Sequence, residues 1–195
     1  EPGTYYVYAK TAETKNYEVN RSATVELAVS EKVDPVVSVK TADGTETPYG
    51  SFVDAWTAAV ASEGSTLKLL ADGTLSGDNT DISKSITLDL NGKTIKNTVD
   101  IWGGNANAIL SIKDGAAVTI TGNGTITAKE NDCYTINVVD GDLTIENGTF
   151  VGNISAVQVQ KGSLTINGGV FSLLQKMTDG KGENRYLINC IDSEF

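Results

Sequence analysis

The sequence predicts an all-β fold: a parallel β-helix with three strands per coil, closed at its start by one α-helix. The first observation is a repeat. Four segments are variants of one phrase: Ile86-Thr-Leu-Asp-Leu-Asn-Gly-Lys-Thr-Ile95, Val118-Thr-Ile-Thr-Gly-Asn-Gly-Thr-Ile126, Leu143-Thr-Ile-Glu-Asn-Gly-Thr-Phe150 and Leu164-Thr-Ile-Asn-Gly-Gly-Val-Phe171. Each runs apolar-Thr-apolar, then an Asn/Gly turn, then a second short apolar strand. The starts lie 32, 25 and 21 residues apart. A unit this short cannot bury its own apolar face, so recurrence at this spacing argues for stacking. Second, 20 Gly against only 3 Pro suit many tight turns between short strands. Third, one helical stripe precedes the repeats.

Residues 1–32 stand apart. Thr4 to Lys10 and Ala23 to Val29 alternate, joined by a polar connection from Thr11 to Arg21. This predicts a hairpin with one apolar face, which is marginal alone and implies further strands of a β-sandwich. Residues 33–49 read as a link: a strand over 36–40, a turn at Asp43-Gly44, then Pro48. The helix runs from Phe52 to about Ser62. Ser51 and Asp54 form a capping pair, and Gly64 follows the end. Phe52, Trp56, Ala59 and Val60 fall on one stripe, so the helix is expected as a lid on the first coil, with Phe52 and Trp56 buried. The domains are then 1–32, 33–65 (link and capping helix) and 66–195 (β-helix).

Each coil divides into three. The first strands are 110–113, 136–139, 157–160 and 188–191; the second are the apolar-Thr-apolar segments; the third are 94–96, 125–128, 149–151 and 170–173. Alternation sends Leu110/Ile112, Ile136/Val138, Val157/Val159 and Ile188/Cys190 inward. On the second sheet it sends Ile86/Leu88, Val118/Ile120, Leu143/Ile145 and Leu164/Ile166 inward, with Thr87, Thr119, Thr144 and Thr165 forming an outward ladder. Phe150 and Phe171 should stack.

Net charge is −10 and His is absent. That balance disfavours nucleic acid and anionic membrane and removes the commonest general base and metal ligand. No transmembrane run is present, and a monomer is expected. Cys133 and Cys190 are expected as free thiols: their parities differ, and two coils place them about 10 Å apart along the axis. The chain opens at Glu1-Pro2-Gly3 without Met and ends on Phe195 in what reads as another coil, so it is expected to be a piece of a longer protein.

"SITLDLNGKTI", "GSLTINGGVF" and "TLKLLAD" carry a resemblance to right-handed parallel β-helices of the pectate-lyase-like class. In particular the region from about 50 to 195 resembles the repeats of large non-enzymatic bacterial surface proteins. "GTYYVYAKTAETKNY" resembles the last strands of bacterial immunoglobulin-like modules. The resemblance implies a secreted, cell-surface, adhesin-like protein, and it implies that polysaccharide sites use the outward face of the first sheet.

That face holds Ser111, Asn137, Gln158 and Asn189 in one column and Lys113, Val139, Gln160 and Ile191 in the next. These positions read either as a carbohydrate-binding ladder, with rungs ~4.8 Å apart, or as a merely solvated face. Trp102, in a Gly-rich loop, reads as a stacking platform for a sugar ring or as packing over the first coil. Asp114, Asp140 and Asp142 offer oxygens for a Ca²⁺, although Asp-Gly is also the plain turn dipeptide; no other cofactor is expected. Asn91, Asn123 and Asn147 read as a structural ladder at the second corner, with Asn167 one residue early. The Asn-Gly-Thr sequons at Asn123 and Asn147, with the sequons at Asn20 and Asn153, carry no weight because the turn itself favours such residues.

No catalytic constellation can be assembled, since hydrolysis needs paired carboxylates and acid–base work needs tunable groups in one place. The leading expectation is a non-catalytic surface module, with a glycan or host-surface ligand on the first sheet. The alternatives are the N-terminal part of a polysaccharide lyase or glycoside hydrolase, and a stalk without ligand. No cleavage of acidic polysaccharide is expected from the chain itself.

Overall fold

The structure, a computed structural model of the 195-residue chain, describes residues 3–12, 21–29, 33–75, 81–97, 108–128, 134–174 and 186–191. The chain forms two compact units, residues 1–34 and 35–195. The first is the expected hairpin. β1 (Gly3–Val7) pairs antiparallel with β2 (Val25–Val29), and Tyr5 faces Leu27. The Arg21 guanidinium lies 4.8 Å from the centre of the Tyr8 ring, a cation–π contact. All residues of both strands are exposed, Tyr6 at 66% and Val25 at 61%.

The second unit is a β-solenoid, consistent with a right-handed parallel β-helix. The expected link at 33–49 is instead part of it. β3 (Val37–Lys40) and β4 (Glu46–Tyr49) form an antiparallel hairpin. Its turn is set by Asp43, whose carboxylate accepts from the Thr41 hydroxyl at 2.7 Å and the Thr45 N–H at 2.9 Å. A strand was not expected at Pro48 because proline lacks a ladder donor, but β4 is an edge strand, where proline is tolerated. α1 (Phe52–Ala61) follows, capped by the Ser51 hydroxyl, which accepts from the Asp54 N–H at 3.3 Å. Trp56, Ala55 and Ala59 are fully buried, whereas Phe52 and Val60 are half-buried against the same core. Ala55 was missed and Phe52 overrated, because a stripe fixes direction and not depth.

The coils begin with β5 (Ser65–Leu69) and β6 (Gly73–Leu75). Gly73 lies against the Phe52 ring, and a side chain there would force that ring to move. The next coil is β7 (Asp81–Ile82), β8 (Ile86–Asp89) and β9 (Thr94–Asn97). Then come β10 (Ala108–Ile112), β11 (Ala116–Thr121) and β12 (Thr125–Thr127). β13 (Tyr134–Val138), β14 (Gly141–Ile145) and β15 (Thr149–Gly152) form another coil. β16 (Val157–Val159), β17 (Gly162–Ile166), β18 (Val170–Leu173) and β19 (Ile188–Cys190) complete the order.

Three sheets result. The first is β7-β10-β13-β16-β19 and the third is β6-β9-β12-β15-β18, both parallel. The second is β5-β8-β11-β14-β17, parallel, extended past β5 by the antiparallel pair β3 and β4. The registers are those the repeats imply: Leu143 opposite Leu164 and Phe150 opposite Phe171. The two rings stack at 5.2 Å with 16° between planes.

Inward columns such as Leu67–Leu88–Ile120–Ile145 are buried along their length, each side chain contributing about 1.5–3 kcal/mol. The outward threonines align as Thr66–Thr87–Thr119–Thr144–Thr165, one rung longer than expected. The asparagine ladder is partial. Asn147 donates to the Asn123 side chain at 2.6 Å, but the Asn91 amide turns back to donate to the Leu69 carbonyl at 2.8 Å, with φ at 45°. Asn167 donates to the Glu146 carboxylate at 3.0 Å, as its early position requires.

Glu63, just after α1, ties the lid to the coil by accepting from the Ser85 N–H at 3.2 Å. Hydrogen bonding from the Ser85 side chain first, then from its N–H, and the charge of Lys84 hold the Glu63 carboxyl below the usual value. A lowered carboxylate stabilises the fold above its unfolded pKa, and that contribution is lost as pH falls through the folded one. Glu63→Gln should therefore lower the melting midpoint at pH 7. The gap to the wild type should narrow below the ordinary value of 4.5, and melts recorded over pH 7 to about 3 check this.

Candidate functional site

The candidate site is the outer side of the first sheet, on β10, β13, β16 and β19. Strand register puts Ser111, Asn137, Gln158 and Asn189 in one column, as the repeats imply. The column has an earlier rung, Asp81, opposite Ser111. Asp81 was missed because β7 is two residues long and no apolar-Thr-apolar phrase marks it. The signal was there: Asp81-Ile82 aligns with Ser111-Ile112.

The column is not the open ladder expected. Ser111 is 0% exposed, Asn137 3% and Gln158 7%, and only Asn189 is half-buried. Alternation tells which side of a sheet a residue occupies, not whether that side meets water. Here Ile109, Thr135 and Ala156, two positions earlier on the same side, are buried too. Thr135 donates its hydroxyl hydrogen to the Ala156 carbonyl of the next coil.

The buried polar groups are unevenly satisfied. Asn137 Oδ1 accepts from Gln160 Nε2 at 3.2 Å, which joins the two columns. Ser111 Oγ and Gln158 Oε1 have no hydrogen-bond partner. A buried polar atom without a partner costs about 1–3 kcal/mol, so the two groups mark a place where the fold carries unused hydrogen-bonding capacity. Gln160 is half-buried at the accessible margin.

Lys113 is not a free donor at this margin, because its ammonium pairs with Asp81 at 2.8 Å. A second inter-coil pair joins Lys161 to Asp140, also at 2.8 Å. The three acidic residues considered for Ca²⁺ are therefore not gathered. Asp140 holds Lys161, Asp142 accepts from the Ser163 hydroxyl, and Asp114 shapes its own turn at φ 56°. Among the described residues no group of three His, Cys, Asp or Glu side chains is placed to hold a metal. Turn geometry explains the Asp-Gly repeats. Trp102 and Cys133 lie outside the described residues, and Cys190 is free and half-buried.

A shallow groove of about 400 Å³ lies elsewhere, lined by Ser38, Glu46, Pro48, Lys68 and Leu70 on β3, β4 and the region of β5. It arises from the hairpin that the sequence reading took for a link. Among the described residues no helix is long and apolar enough to cross a membrane. Comparison with known proteins found no matching family, curated relative or solved structure.

Proposed function

We propose that this chain is a non-catalytic, adhesin-like module of a bacterial cell surface, its solenoid a rigid scaffold whose first-sheet flank meets a neutral glycan. The carrying observation is that the amides of Gln160 and Asn189 stay partly accessible at the margin of the aligned column Ser111–Asn137–Gln158–Asn189, whose first three members are themselves buried. Hydroxyls and amides donate and accept hydrogen bonds but do not shuttle protons near neutrality. The surface setting draws on the resemblance of the repeats to pectate-lyase-like β-helices and of residues 1–32 to the last strands of immunoglobulin-like modules. A charge of −10 favours a neutral glycan over a polyanion.

The test is a screen of the full chain against neutral and acidic glycans, followed by the Gln160→Ala and Asn189→Ala variants. Binding of a neutral glycan weakened about 10-fold or more by either variant, the loss of one charge-free hydrogen bond or two, is the expected outcome. Acidic polysaccharide cleaved to unsaturated products would overturn the reading in favour of a β-helix lyase. A second reading, a stalk without ligand, draws on the burial of Ser111, Asn137 and Gln158, and absence of binding across the screen is its expected outcome.

A further inference from the structure

Proline occurs three times in the chain, at Pro2, Pro35 and Pro48, and only Pro35 follows an aspartate, Asp34. At that bond the chain passes from one compact unit to the other, since the first ends at Asp34 and the second starts at Pro35. Asp34 and Pro35 are both exposed and lie outside every strand, and Val33 before them is 65% exposed. Exposed backbone outside a ladder is where a chain can be cut without first unfolding.

The solenoid tolerates a cut there. Every described residue before Val36 is exposed, and the hydrophobic core of the solenoid starts at Val36. Its first backbone bonds are also made by Val36, whose N–H donates to the Tyr49 carbonyl at 2.8 Å. The Val36 carbonyl accepts from the N–H groups of Leu70 and Ala71, both at 2.9 Å. Pro35 has no N–H to lose from a ladder. Cleavage of the Asp34–Pro35 bond therefore removes no buried side chain and no strand from the solenoid.

From this placement we infer that Asp34–Pro35 is an acid-triggered self-cleavage site, which severs the solenoid from the hairpin unit. The reaction needs only the aspartate, acid and water. A side-chain oxygen of Asp34 attacks the backbone carbonyl carbon of the same residue and closes a five-membered cyclic anhydride. The C–N bond to Pro35 breaks, and its electron pair stays on the prolyl nitrogen, which takes a proton from the acidic medium and leaves as a secondary amine. Water then opens the anhydride. The net change is one water consumed, a new α-carboxyl on Asp34 and a new amino terminus on Pro35. Attack on the adjoining carbonyl is intramolecular at every aspartate, so the proline is what singles out this bond. Its amide nitrogen is tertiary and gives a more basic amine, which accepts the departing proton more readily than an ordinary peptide nitrogen. The inference does not rest on the glycan reading.

Incubation of the full chain at about pH 3, below the ordinary carboxylate range, tests it beside a sample kept near neutrality. Mass spectrometry should find two pieces, 1–34 and 35–195, in the acid sample alone. Asp34→Asn removes the nucleophile and Pro35→Ala removes the better leaving group, so each should slow the cut about 10-fold or more. Returned to neutral pH, the piece that begins at Pro35 should show the β-sheet circular dichroism and melting midpoint of uncleaved Asp34→Asn chain taken through the same cycle. Fragments that arise first at another bond overturn the inference, as does cleavage of Asp34→Asn at the wild-type rate. So does a wild-type chain that stays intact in acid unless urea is added, or a released solenoid that loses the β-sheet signal its uncleaved control retains.

Discussion

Replacing Trp56 with Ala should cost about 3–5 kcal/mol of folding stability, the range for truncating a fully buried large aromatic. Trp56 is 1% exposed and sits at the centre of α1. Its ring packs near-parallel to Phe52, with centres 6.1 Å apart. Beneath lie Val37, Val39, Leu67 and Leu69, all buried, which belong to β3 and β5. Truncation therefore leaves a cavity that three elements must collapse around. The indole Nε1 has no hydrogen-bond partner, which sharpens the prediction. Trp56→Phe removes an N–H that contributes no bond, so it should cost much less than Trp56→Ala. Urea unfolding of both variants checks this. A loss below about 1 kcal/mol for the alanine variant, the size of an ordinary surface substitution, would show that the helix does not seal the coil.

Phe150→Ala should be comparably severe, again about 3–5 kcal/mol, while Phe171→Ala should cost about 1–2 kcal/mol. The two residues are alike in sequence context and opposite each other in register. They differ in burial. Phe150 is enclosed between Ile126 of the preceding coil and Phe171, and is 0% exposed. Phe171 has Phe150 on one side and is half-buried. The difference between the variants measures what full burial adds to one rung of the stack. Equal losses would mean that Phe171 is as well enclosed as Phe150.

What the sequence disclosed followed from period. The apolar-Thr-apolar phrases recur with enough regularity to set the strands, the inward columns and the register down to the Phe150–Phe171 pair, because a one-residue slip would turn every apolar side chain outward. Short or unrepeated pieces were not legible. β7 is two residues, and β4 contains a proline, so neither carries a strand signature. The candidate site was legible as a set of aligned residues and illegible as a surface. Ser111, Asn137 and Gln158 stand where their parity places them, yet they are buried, because coverage of a sheet face is a tertiary property that alternation does not encode. Lys113 likewise looked like a free donor until the distant Asp81, 32 residues earlier, was brought beside it.

Every site assignment rests on the coil register, so the most direct measurement is a distance along the solenoid. With Cys133 and Cys190 replaced by Ser, spin labels at Thr66→Cys and Thr165→Cys report on positions joined through Thr87, Thr119 and Thr144. Four rungs of ~4.8 Å predict about 19 Å between the labelled backbones. A narrow distribution near that value, measured by double electron–electron resonance, is the result expected of parallel coils in this register. A broad distribution centred beyond about 30 Å, more than six rung spacings, would contradict the stacking and with it the column on which the proposed site stands.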